Sequence, residues 1–188
     1  MRVGVLALQG DFQEHLDALY RLNVVGVPVR LPEDLAQVDR LIIPGGESTT
    51  IGKLLVTSGL FEPIRARTKK GMPVWGTCAG AILLAKRIAD GKRDQPTLGM
   101  MDITARRNAF GRQLNSVEAE LSVQHVDTKP LPVVFIRAPS LEHPGADVKV
   151  LASYAGTIVA AQQDHMLATC FHPELTNSLA LHKYFLSL

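Results

Sequence analysis

The first eighty residues switch repeatedly between two periodicities, and that alternation restricts the fold more than any other property of the chain. Residues 2–8 (RVGVLAL) are a short apolar run rich in β-branched side chains that closes at Gln9-Gly10. Such a run predicts a buried strand. The next segment, DFQEHLDALYRL, repeats Phe12, Leu16, Leu19 and Tyr20 at helical spacing, with Asp11 in position to cap the start. VVGVPVR predicts a second strand and DRLII a third, stopped by Pro44-Gly45-Gly46. Helical stretches follow to about residue 70, then MPVW as a fourth strand and AILLAKRIA as a helix. Strand and helix in alternation predict a parallel sheet with helices on both faces.

The second half reads differently. MDITARRNAFGRQ, VEAELSV, LPVVFIRAP, VKVLASY, TIVAAQQ and HMLATCF are strand-like and extend the sheet in mixed or antiparallel fashion. LTNSLALHKYFLSL predicts a closing helix capped at Thr176 or Asn177. With 188 residues, 46% of them hydrophobic, and no linker or repeat, one domain over residues 1–188 is expected. A net charge of +2 is too small to imply nucleic acid. The basic clusters Arg65–Lys70 and Lys86–Arg93 read as a solvated helix face and a solvated loop. No apolar run reaches the ~18 residues of a membrane span, and Met1-Arg2 leads into too short a run for a signal peptide. Two cysteines, Cys78 and Cys170, suit free thiols in a reducing cytoplasm.

In parallel sheets ligands sit beyond the carboxyl ends of the strands, and three glycine-bearing signatures fall there: LQGD (8–11), PGGEST (44–49) and GTCAG (76–80). GTCAG, between a strand and a helix, is the thiol form of a nucleophile elbow. Gly76 and Gly80 relieve collisions in a sharp turn, and the helix N-terminus that follows favours a thiolate. The Ala79 N–H could donate to an oxyanion. The plainer alternative is a small buried Cys78 with glycines that permit close helix packing.

A cysteine nucleophile needs a base. FHPEL (171–175) supplies His172 and Glu174, which share a face in extended chain. His172 can then face Cys78 while Glu174 fixes its tautomer. Taken without Cys78, the same tripeptide reads as a surface turn. His15 packs or meets solvent, and His125, His143, His165 and His182 show no metal-site spacing. Cys170 reads as core. Bare N–H groups at Gly45 and Gly46 could form an anion nest; the alternative is a loop capped by Glu47 or Ser48. No GxxxxGK[ST] motif accompanies it, which argues against a nucleotide P-loop. No metal and no cofactor are called for.

GTCAG with a late FHPEL resembles the class I (triad) glutamine amidotransferases. LALQGDFQEH, PGGEST, GTCAG, RNAFGRQ, FIRAP and FHPEL, in that order from residue 3 to about 185, resemble the PdxT/SNO family of pyridoxal 5′-phosphate synthase glutaminase subunits. The resemblance implies a three-layer, flavodoxin-like class I amidotransferase fold around a mostly parallel, mixed sheet. It implies that Cys78 attacks the glutamine amide, that His172 moves the proton and that Glu174 orients His172. It implies that Gly46, Glu47, Ser48, Arg107, Ile136 and Arg137 hold L-glutamine, and that Gln9 and Gly10 link the oxyanion hole to a partner. Arg suits an α-carboxylate, but the choice of Arg107 over Arg106 rests on the motif alone. Val117 stands where an aromatic is frequent, and the loop ADGKRDQPTLG has its own length.

The implied partner is a synthase subunit of PdxS/SNZ type, a dodecameric core decorated by glutaminase subunits, which would receive ammonia that free diffusion would lose. The implied reaction leaves glutamate and feeds vitamin B6 synthesis, with neither nucleic acid nor membrane involved. Competing readings are another amidotransferase assembly, a non-catalytic module on the same fold, or a cysteine hydrolase with other substrates.

Overall fold

A computed structural model describes residues 1–90, 95–109 and 116–188. The Phe110–Gln113 half of RNAFGRQ, Lys92 and Arg93 of the second basic cluster, and residues 91–94 of the ADGKRDQPTLG loop lie outside the described residues.

The amino-terminal half follows the predicted alternation. β1 (Arg2–Leu6), α1 (Phe12–Arg21), β2 (Val25–Val29), a single turn α2 (Pro32–Leu35) and β3 (Arg40–Ile43) lead into α3 (Ser48–Thr57) and α4 (Phe61–Lys69). Then come β4 (Val74–Thr77) and α5 (Ala79–Leu84). Strand β1 pairs in parallel with β2 and β3, and β4 with β3. The sheet thus grows one way from β1 to β2 and the other way through β3 and β4. Right-handed crossovers then put α1 on one face and α3 and α5 on the other. The order reverses between β1 and β3, and the crevice above that reversal is where such sheets bind ligands.

Two expectations fail here. AILLAKRIA is not one helix: α5 ends at Leu84, and β5 (Ala85–Ile88) pairs in parallel with β6 (Met101–Arg106). Ala85 turns extended (φ −65°, ψ 139°) because the helix-forming residues Lys86 and Arg87 face Asp102 across the sheet edge, at 3.5 and 3.2 Å. Long-range pairing overrides local propensity. Tyr20, placed on the apolar face of α1, is 82% exposed.

The second half continues through β7 (Ser116–Leu121), β8 (Leu131–Ile136), β9 (Ser140–Glu142), β10 (Lys149–Tyr154), β11 (Thr157–Gln163) and β12 (Met166–Thr169). A 3₁₀ turn (Pro173–Leu175) and α6 (Ala180–Ser187) follow. Among the described residues ten strands make one mixed sheet in the order β2-β1-β3-β4-β12-β11-β9-β6-β5, with β10 against β11. Strands β7 and β8 leave that sheet and form a separate antiparallel ribbon. Leu179, not Thr176 or Asn177, precedes the first turn of α6, and its side chain makes no capping bond. Thr176 Oγ1 instead accepts from the Ser178 N–H at 3.2 Å.

The core is continuous beneath the cavity, with Trp75, Phe171 and Phe185 fully enclosed. Trp75 donates from Nε1 to Thr169 Oγ1 at 3.1 Å, stitching β4 to β12. Among the described residues, no helix is long and apolar enough to cross a membrane.

Candidate active site

Strand β12 pairs with β4 in parallel register, Thr169 beside Thr77. Cys78 therefore leaves the sheet next to Cys170, and its N–H donates to the Thr169 carbonyl at 2.8 Å. Cys78 is held at φ 48°, ψ −102°, a left-handed conformation that a non-glycine residue adopts at a cost of about 1–3 kcal/mol. The turn also needs glycine on either side. A Cβ on Gly80 would overlap the Ile43 carbonyl oxygen, and one on Gly76 would overlap the Gly80 backbone. The strained turn sets the sulfur in the cavity wall, 3.9 Å from the Ile136 carbonyl oxygen.

His172 follows β12 and reaches over the elbow. Its N–H donates to the Val134 carbonyl at 2.8 Å, so β8 helps to hold the ring. Nδ1 lies 2.8 Å from Glu174 Oε1 and 3.4 Å from Asp11 Oδ2. The His172–Glu174 pair is made across a 3₁₀ turn and not in extended chain, as alternation had suggested. Asp11 occupies the residue before α1, but its carboxylate makes no cap bond and turns toward His172. Asp11, His172 and Glu174 bring donor atoms within 4.8 Å of one another, with His172 Nδ1 already engaged by Glu174.

Burial disfavours a charged His172, but hydrogen bonding and charge at Cys78 and Glu174 outweigh it and raise its pKa to about 10. Burial pushes Glu174 upward, with His172 opposing.

A cavity of about 550 Å³ opens above these residues. Gln9, Gly10, Gly46, Glu47, Ser48, Cys78, Ala79, Arg107, Ile136, Arg137 and His172 are among the residues that line it. Gly45 packs just behind, against the His172 ring. Gln9 Oε1 accepts from the Glu47 N–H at 2.8 Å, tying the first signature to the second.

Glu47 caps α3: its carboxylate accepts from the N–H groups of Thr49 and Thr50 at 3.0 and 2.7 Å and from Thr50 Oγ1 at 2.6 Å. Desolvation resists the charge, yet these bonds hold its pKa at about 2. Its carboxylate is thus committed to the helix, and its backbone is what it offers the cavity. Ser48 Oγ accepts from Gln95 Nε2 at 3.0 Å, and Gln95 Oε1 lies 3.4 Å from Arg107 Nη1. Arg106 turns away into a two-pronged pair with Glu142 at 2.6 and 3.2 Å. Geometry therefore separates the two arginines that the motif alone distinguished.

Of the two readings of His15, packing or solvent, the structure shows packing, and it pairs His15 with a second buried histidine to which the sequence assigns no role. His15 of α1 and His182 of α6 are 0% and 1% exposed, with His15 Nδ1 3.0 Å from His182 Nε2. His15 Nε2 lies 3.3 Å from Thr77 Oγ1 and 3.5 Å from Glu174 Oε2. The available signal was their spacing: each falls on the apolar face of its helix, beside Leu19 and Phe185 respectively. Cys170 is fully buried, as expected of core, and burial together with the nearby Cys78 raises its pKa.

These groups give stability a pH signature. A group whose folded pKa is raised binds protons more tightly when folded, so His172 contributes fully below 6.5, and that contribution is lost as pH rises through about 10. Burial, then Arg21, lowers His182 to about 4; burial, His182 and His172 lower His15. Their contribution is complete above 6.5 and lost as pH falls toward 4. Melting temperature should therefore peak near pH 6.5. His172→Gln should flatten the alkaline limb and His182→Phe the acid limb. A melting temperature that climbs steadily from pH 7 to 10 would contradict this assignment.

A thiol at a strained strand–helix turn, with a histidine–carboxylate pair across a cavity at the sheet switch point, defines an α/β protein of the thiol nucleophile-elbow class. More narrowly, the chain belongs to the SNO glutamine amidotransferase family, whose model matches residues 5–188. It is 62% identical to the pyridoxal 5′-phosphate synthase subunit PdxT of Roseiflexus sp. (strain RS-1) and 60% identical to that of Herpetosiphon aurantiacus, over 100% of each chain. A crystal structure of a glutamine amidotransferase, 48% identical, superposes with a TM-score of 0.93 over 98% of this chain and 97% of that one. A chain of PurLQS from Thermotoga maritima, only 16% identical, shares the fold at a TM-score of 0.68 over 99% of this chain and 97% of its own.

Proposed function

We propose that this chain is one glutaminase domain, residues 1–188, of a pyridoxal 5′-phosphate synthase, hydrolysing L-glutamine to L-glutamate and ammonia. What supports the reading is a cavity that Cys78 and His172 both line, with Glu174 Oε1 2.8 Å from His172 Nδ1, in a chain 62% identical along its whole length to a PdxT subunit. Cys78 sulfur attacks the side-chain amide carbon, and the oxyanion is met by N–H groups of Ala79 and the Gly45–Gly46 turn. His172, positively charged at neutral pH by its raised pKa, gives its proton to the departing ammonia. Glu174 keeps Nδ1 protonated and the ring aimed. Water, deprotonated by the now neutral His172, then cleaves the thioester and releases glutamate.

Arg107 and Arg137 line the cavity, and a guanidinium group suits the α-carboxylate of the substrate. Gly46, Ser48, Ile136 and the Glu47 backbone frame the rest. The ammonia goes to a synthase subunit of the PdxS/SNZ type in a dodecameric core. That subunit docks beside Gln9 and Gly10, where Gln9 already grips the Glu47 N–H. A thiol that must stay reduced supports a cytoplasmic location.

The test is glutamate release from glutamine by the purified chain, with and without a pyridoxal phosphate synthase subunit. Turnover should rise on adding the partner and saturate. Turnover that ignores the partner would point to another amidotransferase assembly, and none in any mixture would sink the glutaminase reading.

A further inference from the structure

The proposed triad ends at Glu174, but the buried polar chain does not. Glu174 Oε1 is engaged by His172, whereas Oε2 is enclosed with no hydrogen-bond partner at ordinary distance. A sealed carboxylate oxygen without a donor is costly. Facing it, 3.5 Å away, is Nε2 of His15, itself fully enclosed. Thr77 Oγ1, on the strand that carries the elbow, sits 3.3 Å from the same nitrogen.

The tautomers of the two histidines follow from their neighbours. One hydrogen lies between His15 Nδ1 and His182 Nε2, which are 3.0 Å apart. If His15 held it, His15 would turn a lone pair toward the Glu174 carboxylate. His182 would then carry its other hydrogen on Nδ1, which is buried without a partner. If His182 holds it on Nε2, both conflicts vanish. His15 Nδ1 accepts, His15 Nε2–H points at Glu174 Oε2 and Thr77, and only a lone pair on His182 Nδ1 goes unmatched. An enclosed acceptor left alone costs less than an enclosed N–H left alone.

We infer that His15 is a positioning residue for the reaction: as a neutral ring oriented by His182, it presents Nε2–H to the second oxygen of Glu174, keeping that carboxylate ionised and aimed at His172. This rests on the glutaminase reading of the site. Burial lowers the pKa of both rings, consistent with a neutral donor. The edge of Trp75 walls the pair, its ring centroid 5.6 Å from that of His15 and 4.9 Å from that of His182. Neither histidine is within reach of substrate, so the effect passes through Glu174.

The test compares His15→Leu, His15→Gln and His15→Asn in the full chain. Glutamine kinetics are measured with the synthase subunit present, and the rate at which iodoacetamide alkylates Cys78 is measured without it. Gln places an amide N–H near the ε position; Asn places it at the δ position, short of Glu174. His15→Leu and His15→Asn should lower kcat about tenfold, the loss of one hydrogen bond to a charged group. KM should change less than about twofold, and alkylation should slow in parallel, while His15→Gln keeps most of both rates. Equal behaviour of the Gln and Asn variants, each confirmed folded by its melting curve, would overturn the proposal in favour of simple packing. So would a folded His15→Leu with unchanged kcat and alkylation. If His15→Leu fails to fold, the Gln–Asn pair still decides. Absence of glutamine turnover in the unmodified protein counts against the glutaminase reading alone, because alkylation reports on His15 without glutamine.

Discussion

Cys78→Ala should reduce glutamate release at least about a thousandfold, the scale of losing a nucleophile that acts as a unit with its base. The argument is local. No other described side chain combines a nucleophilic atom, an elbow and contact with His172; Cys170 is sealed at 0% exposure, with its thiol pKa raised by burial. Alanine keeps the small side chain that the turn tolerates, so the melting temperature should move only slightly. The variant should also report on the base. With the sulfur gone, His172 loses the partner that most raises its pKa, and its ring should titrate lower by NMR. Activity within tenfold of the unmodified chain would remove Cys78 from the mechanism.

Gly45→Ala should cripple catalysis without altering any reacting atom. A Cβ there would overlap His172 Cε1 and stand 3.0 Å from Nδ1 and 3.1 Å from Asp11 Oδ2. The ring has no room to retreat: it is 3% exposed, tied to Glu174 at 2.8 Å, and its N–H is tied to Val134. The extra methyl group must displace the ring or the PGGEST turn, at about 1–3 kcal/mol of overpacking. Misplacing a base by about an ångström costs on the order of a hundredfold in rate. The expectation is therefore a kcat down about a hundredfold, with a modestly lowered melting temperature. A folded Gly45→Ala protein with unimpaired kcat would show that the ring does not need its present position.

The parts of this site that could be read from the sequence are those whose cause is local. GTCAG announces its turn because only small residues fit between Ile43, Gly76 and Gly80. PGGEST and LQGD mark strand ends for the same reason. The His172–Glu174 pairing was anticipated, but through the wrong backbone, since Pro173 starts a 3₁₀ turn. What escaped depends on distant partners. Strand β5 exists because β6 is there to receive it. The β7–β8 ribbon alternates like any sheet strand, and nothing in its pattern says that it leaves the main sheet. His15 and His182 look like ordinary helix residues until α1 and α6 meet behind Glu174. Asp11 resembled a cap because it precedes a helix, and its turn toward His172 is a tertiary effect.

The wedging of β12 beside β4 has a consequence for the newborn polypeptide. The elbow is synthesised well before β12, the base and the helix bearing His182, all of which follow it in the chain. Until they dock against β4, Cys78 has neither its Thr169 anchor nor its imidazole. Such non-local pairing is late and slow in folding. Chemical competence consequently waits for that docking, and an incomplete translation product lacking the β12 segment carries a cysteine with no base to arm it.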